Sequence, residues 1–117
     1  MRILVIEGSE SSLKLMKVFL LRWNISGEFF SNSQDALKFF EPGRFDLLIT
    51  NFGKNGEGPA LIRKIKEIQP GIKIICLTGY NAREVREACL AAGCDSFLSK
   101  PFGLDELGSA IERLSEE

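Results

Sequence analysis

Four polar side chains stand at the ends of apolar runs. Glu7 follows Ile3-Leu4-Val5-Ile6, Asn51 follows Leu47-Leu48-Ile49-Thr50, Thr78 follows Ile72 to Leu77, and Lys100 follows Ser96 to Ser99. A short apolar run bounded by Gly or Pro reads as a buried strand, and in an open parallel sheet ligands sit just beyond the carboxyl ends of such strands. The four side chains are therefore expected to converge on one crevice. Asn51, before the Gly-rich loop Gly53-Lys54-Asn55-Gly56-Glu57-Gly58-Pro59, takes the central place. An amide coordinates or hydrogen-bonds, but it is neither a general base nor an acceptor that forms an acyl phosphate. The chain is built around a site whose central carboxylate is absent.

Other chemistry is narrowed by composition. Histidine is absent, which removes the commonest general base and metal ligand. The three cysteines, Cys76, Cys89 and Cys94, sit among apolar residues and alanines and read as small buried hydrophobes of a reducing compartment rather than a disulfide or metal site. With 15 basic against 16 acidic residues, nothing marks a nucleic-acid footprint or a polybasic membrane patch. No apolar run approaches a membrane span, and the start reaches Glu7 too soon for a signal peptide, so a cytoplasmic location is expected. At 117 residues, 44% hydrophobic, the chain is expected to form a single domain over 1–117 with its own core.

The elements that must position these residues follow in order. Ser9 or Ser11 caps a helix from Ser12 to Trp23 whose buried face is Met16, Phe19, Leu20 and Trp23, leaving Val18 and Leu21 outside it. Ile25 to Phe30 is a weaker edge strand, with a bulge expected at Gly27. A short helix, Ser33 to Phe40, stops at Pro42-Gly43. Leu47 to Thr50 is the third strand, and Pro59 opens a helix buried through Leu61, Ile62, Ile65 and Ile68. Ile72 to Leu77 is the fourth strand. A helix from Ala82 to Ala92, capped by Gly93, buries Val85, Ala88, Cys89 and Ala92 and leaves Leu90 exposed. Ser96 to Ser99 and a last helix, Leu104 to Ser115, complete the chain. Five strands alternating with five helices through short turns predict an α/β fold with right-handed crossovers and a parallel sheet covered on both faces.

Over essentially its whole length the chain resembles the receiver domain of two-component response regulators. The matching features are Arg2 to Ile6, Asp46 to Ile49 before the central position, Thr78 after the fourth strand, Ala92-Gly93 before the fifth, and Lys100-Pro101-Phe102. The resemblance implies a flavodoxin-like, doubly wound five-stranded sheet in the order 2-1-3-4-5. It also implies Mg²⁺-dependent phosphoryl transfer from a histidine kinase to an aspartate ending the third strand. Here that position is Asn51, and the acidic pair after the first strand is reduced to Glu7-Gly8. Phe97 takes the family's aromatic switch position, where, lacking a hydroxyl, it is expected to pack inward.

The charge balance decides what such a site can hold. The family site gathers three carboxylates and one lysine; here Glu7 and Lys100 cancel beside a neutral Asn51. A hard divalent cation, which seeks anionic oxygens, is expected to bind weakly or not at all, with any residual site drawing on Glu7, the Asn51 amide oxygen and the Gly53 carbonyl. Lys100 is expected to pair with Glu7 and hydrogen-bond Asn51. The sequence thus reads as a degenerate, or pseudo-, receiver that is not an enzyme: a phosphorylation-independent protein-protein interaction module of signal transduction. The resemblance places its contact face on the fourth helix, fifth strand and fifth helix, through Arg83, Glu84, Glu87, Leu90, Asp105, Glu106 and Arg113, with Leu90 as apolar anchor. Its partners are expected to be signalling proteins, with no nucleic acid or membrane engaged by this domain, and a homodimer is compatible with the fold. Two other readings stay open: phosphotransfer in altered form on Thr50 or Ser9, and a small-molecule binder on a flavodoxin-like sheet.

Overall fold

The computed structural model describes residues 1–53, 56–79 and 83–116. Five strands, β1 (Arg2–Ile6), β2 (Ser26–Phe30), β3 (Leu47–Asn51), β4 (Lys73–Thr78) and β5 (Ser96–Ser99), alternate with five helices, α1 (Glu10–Arg22), α2 (Ser33–Phe39), α3 (Glu57–Ile68), α4 (Arg83–Ala92) and α5 (Leu104–Ser115). All strand pairs are parallel, in the order β2-β1-β3-β4-β5, the doubly wound flavodoxin-like arrangement.

The central strands β1, β3 and β4 are nearly continuous apolar runs because both faces are covered, and side chains alternate between the faces with a period of two. Ile3, Val5, Leu47, Ile49, Ile75 and Leu77 pack with α1 and α5 through Met16, Phe19, Leu107 and Ile111. Leu4, Ile6, Leu48, Ile74 and Cys76 face the opposite way, onto the layer of α2, α3 and α4 through Ala36, Ile62, Ile65, Cys89 and Ala92.

Local chemistry sets the helix starts. The Ser9 side chain accepts from the Ser12 N–H at 3.5 Å and caps α1, and Asn32 Oδ1 accepts from the Asp35 N–H at 2.8 Å and caps α2. Gly93 leaves α4 with φ +113°, the left-handed region that glycine enters without strain. The start expected for this helix at Ala82 lies outside the described residues.

Three sequence expectations are corrected. Trp23 is 64% exposed rather than buried, because α1 ends at Arg22: Trp23 is its C-cap, Asn24 follows at φ 55°, and the helical angle that would carry the indole inward is lost. β2 carries no bulge, pairing with β1 in unbroken register from Arg2↔Ser26 to Ile6↔Phe30. Gly27 is there for space, since a Cβ would lie 2.4 Å from Leu20 Cδ1. Ile68, the last residue of α3, is exposed, and Ile72 beyond the Pro70-Gly71 turn fills the core at that end of the layer.

Candidate functional site

At the carboxyl edge of the sheet Glu7 and Lys100 meet, and Asn51 and Thr78 end the two strands that lie between theirs. Glu7 follows β1 with its backbone N–H donating to Phe30 O at 3.0 Å, and Lys100 follows β5 with its backbone N–H donating to Thr78 O at 2.7 Å. Both are thus fixed to the ends of neighbouring strands. β1 and β5 are not themselves neighbours; β3 and β4 lie between them. At ~4.8 Å per strand the gap is roughly 14 Å, so only two long side chains can close it.

They do close it. Lys100 Nζ stands 2.6 Å from Glu7 Oε2. The Glu7 side chain is 2% exposed and that of Lys100 28%, so the carboxylate is buried and the ammonium plugs it from the solvent side. Among the described residues Oε2 accepts no hydrogen bond, so its attraction to the ammonium is mainly Coulombic. The other oxygen, Oε1, accepts from the Ser9 N–H at 3.1 Å. That backbone donor, at the N-cap of α1, has no sequence signal because every non-proline residue carries one.

Asn51 ends β3, half-buried, beside the ion pair. The expected hydrogen bond from Lys100 to Asn51 is not among the contacts of the described residues; the ammonium is drawn instead to the full negative charge of Glu7. Thr50 is buried with its hydroxyl donating to Asn51 O at 3.1 Å, and Thr78 is equally buried. Gly8 is exposed, and a Cβ there would meet only Ser31 O at 3.8 Å and Asn51 Nδ2 at 4.0 Å, ordinary contact distances. Gly58 is the opposite case: a Cβ would lie 2.3 Å from Phe52 O and 2.8 Å from Asn51 O, and its N–H donates to Phe52 O at 2.8 Å. Only glycine lets α3 begin this close to the end of β3. Gly53, also next to the site, takes φ +73°.

Phe97 packs against the α2–α4 core from β5, with the Arg86 guanidinium 4.5 Å from its ring centroid. On α4, Arg83, Glu84, Glu87 and Leu90 are exposed, Leu90 at 53%, and Arg83 pairs with Glu87 at 2.9 Å. Asp105, Glu106 and Arg113 are exposed on α5, Arg113 reaching Ser96 Oγ at 3.1 Å.

Three thiols, from β4, from α4 and from the turn after it, meet beneath α4. Cys76 Sγ and Cys89 Sγ are 3.1 Å apart, unbonded, and Cys94 is buried nearby. Burial, reinforced by Cys89, pushes the Cys76 thiol strongly up, and burial pushes Cys94 up to about 12. Neutral thiols of this kind are inert hydrophobes. Among the described residues no group of three or more Cys, Asp or Glu side chains is placed to hold a metal ion, and no helix is long and apolar enough to cross a membrane.

Residues 3–112 match the family described as response regulator receiver domain. Among curated proteins the chain is 27% identical over 112 residues to the transcriptional regulatory protein ZraR of Salmonella typhimurium, covering 95% of this chain and 25% of that protein. It is 34% identical over 83 residues to the DNA-binding transcriptional regulator NtrC of Azospirillum brasilense, covering 70% of this chain and 17% of that one. The chain thus spans a quarter or less of the length of these two relatives. Among solved structures, a response regulator from Thermotoga maritima superposes with a TM-score of 0.90 at 24% identity, over 99% of this chain and 98% of that one. A CheY-like response regulator receiver domain protein from Methanospirillum hungatei does so with a TM-score of 0.88 at 29% identity, over 98% and 94%.

Proposed function

The chain belongs to the response regulator receiver family, and from that premise we propose that it is a pseudo-receiver: a signalling module that binds protein partners without being phosphorylated on an aspartate. The observation that carries this reading is the direct 2.6 Å pairing of Lys100 with Glu7 beside a neutral Asn51. In the receiver pattern an aspartate ends the third strand and accepts the phosphoryl group. An amide in its place has no anionic oxygen to attack with. The lysine that would meet the phosphoryl oxygens is already neutralised by the one carboxylate present.

Mg²⁺ does not fit the residues of this site. A hard cation is held by several oxygen ligands whose negative charge offsets its own, whereas here the single carboxylate is engaged by an ammonium and the remaining donors are an amide and the Gly53 carbonyl. Displacing Lys100 would leave one negative charge against a dication. Packing does not impose this, because Gly8 has room for a side chain. A hydroxyl acceptor has less support: Thr50 is buried, and the Ser9 side chain caps α1. Receiver domains are signalling modules rather than classical enzymes, and the face we assign to partners is the α4–β5–α5 edge, with exposed Leu90 as anchor among Arg83, Glu87, Asp105 and Glu106. A cytoplasmic place and signalling-protein partners are part of the same proposal.

The test compares the parent chain with Gly8→Asp/Asn51→Asp. Each is titrated with Mg²⁺ while backbone amides are followed by NMR, then treated with acetyl phosphate and weighed intact. The parent is expected to show no saturable shift at Glu7, Asn51 or Gly53 and no phosphoryl adduct, while the double variant gains both. A Mg²⁺-dependent adduct on the parent chain sinks the proposal.

A further inference from the structure

The flank where α1 lies beside α5 holds a hollow that the site does not use. Between the two helices runs a groove of about 640 Å³, a volume typical of sites that take small organic molecules. Gly108 forms part of its wall, and a Cβ there would lie 3.2 Å from the Phe19 ring, so a side chain at this position would intrude on the space. Phe19 and Ile111 are buried beneath it, whereas Trp23, which also lines it, is 64% exposed. The indole lies 6.1 Å from the Phe19 ring, centroid to centroid, so the two rings form one aromatic surface, covered at one end and open at the other. Both helices leave the carboxyl ends of parallel strands and run the same way. With Phe19 level with Gly108, Trp23 therefore comes level with Glu112 one turn on.

The charges on the walls say what covers the open ring. Asp105 and Glu112 line the α5 wall, three residues before Gly108 and four after it, and Arg22 lines the α1 wall. None of the three is in an ion pair among the described residues. The neighbouring cations along the two helices are directed elsewhere, Lys17 over the Phe29 ring at 5.4 Å and Arg113 to Ser96 Oγ at 3.1 Å. The lining thus has two anions to one cation, and α1 adds the partial negative charge of its carboxyl end, where Trp23 is the C-cap. An indole face also attracts cations more strongly than any other aromatic side chain. We propose that this groove binds a small amphiphilic amine, an apolar or aromatic body ended by a protonated ammonium. The body lies over Phe19 and Ile111, and the ammonium sits between the Glu112 carboxylate and the Trp23 ring. The inference rests on this flank alone and is independent of the state of the Glu7–Lys100 site.

Trp23 is the single tryptophan of the chain, so its emission reports occupancy directly. The full chain is titrated near pH 7 with phenylbutylamine, and with phenylbutanol and phenylbutyrate as neutral and anionic probes of the same body. Excitation at the red edge of the indole band leaves the phenyl probes silent. The amine is expected to change the emission saturably with a Kd of about 0.1–1 mM, the range open to so few atoms. The alcohol is expected to bind about tenfold more weakly and the carboxylate more weakly still. Glu112→Gln, at an exposed position and with unchanged circular dichroism, should weaken the amine about fivefold, the upper end for one exposed ion pair, and leave the alcohol as it was. Glu67→Gln, exposed on α3, removes the same charge away from the groove and should leave the amine within about twofold of the parent. Emission that does not respond to the amine, an alcohol or carboxylate that binds as tightly, or a Glu112→Gln chain no weaker than Glu67→Gln overturns the proposal.

Discussion

Replacing Lys100 with Met keeps the apolar stem and removes the charge that plugs Glu7. At 2.6 Å and an effective dielectric constant of ~20, the lost attraction is about 6 kcal/mol, but the variant need not forfeit all of it. Removing one partner of a buried ion pair typically costs about 3–5 kcal/mol, because the other charge is left uncompensated. Lys100 is partly exposed, so water entering where the ammonium stood lowers the figure further. The expected destabilisation is about 2–3 kcal/mol at pH 7. Urea denaturation followed by far-ultraviolet circular dichroism reads this as a fall in midpoint of roughly 1–2 M at pH 7. Glu7→Gln in the variant background is expected to recover most of the loss, giving a coupling energy of about 2 kcal/mol in the double-mutant cycle. A Lys100→Met chain within about 0.5 kcal/mol of the parent at pH 7 would refute the reasoning.

Two further predictions concern the frame around the site. Gly58→Ala should be more damaging than Gly27→Ala, at more than ~3 against about 1–2 kcal/mol in urea midpoints, because the new Cβ meets backbone oxygens at Gly58 and the movable end of Leu20 at Gly27; the reverse order would contradict the packing described. The buried thiols set an alkaline limit. Their stabilising effect is complete below about 8.5, where unfolded cysteine begins to lose its proton, and is lost as pH climbs toward the folded value of about 12 at Cys94. Stability should fall between about pH 9 and 10.5 by ~1.4 kcal/mol per unit for each of Cys76 and Cys94, and Cys94→Ala should remove about half of the slope; a flat profile would mean that the thiols ionise in the fold.

Much of this architecture is legible in the sequence because a strand covered on both faces is a continuous apolar run, and because Ser9, Pro59 and Gly93 carry their own backbone chemistry. β5 and α5 have the boundaries that apolar spacing and the Lys100-Pro101 break indicate. The Glu7–Lys100 pair is legible from charge alone, as the single anion and single cation at the strand ends. What escapes is whatever depends on a neighbour remote in sequence. Gly27 looks like a bulge until Leu20 is placed above it, and Trp23 looks buried until α1 is seen to stop one residue short. The meeting of Cys76 with Cys89 needs the stacking of α4 on β4. Lys66 is the plainest case: its ammonium donates to Ile72 O at 2.7 Å and pairs with Asp95 at 3.3 Å, and Asp95 accepts the Ile74 N–H at 2.8 Å, a clamp that no local pattern announces.

The bridge from the end of β1 to the end of β5 also bears on the order in which the chain assembles. Glu7 and Lys100 are 93 positions apart, so the loop they close contains most of the chain, and its entropy is lost before their attraction is gained. β3 and β4 must already stand between the two outer ends for the side chains to meet. The pair therefore belongs to the downhill side of the folding barrier: it hardly affects how fast the domain forms and acts almost wholly on how slowly it comes apart. A chain that joins a buried carboxylate after β1 to a partly exposed ammonium after β5 has, in kinetic terms, a latch that closes last and opens first.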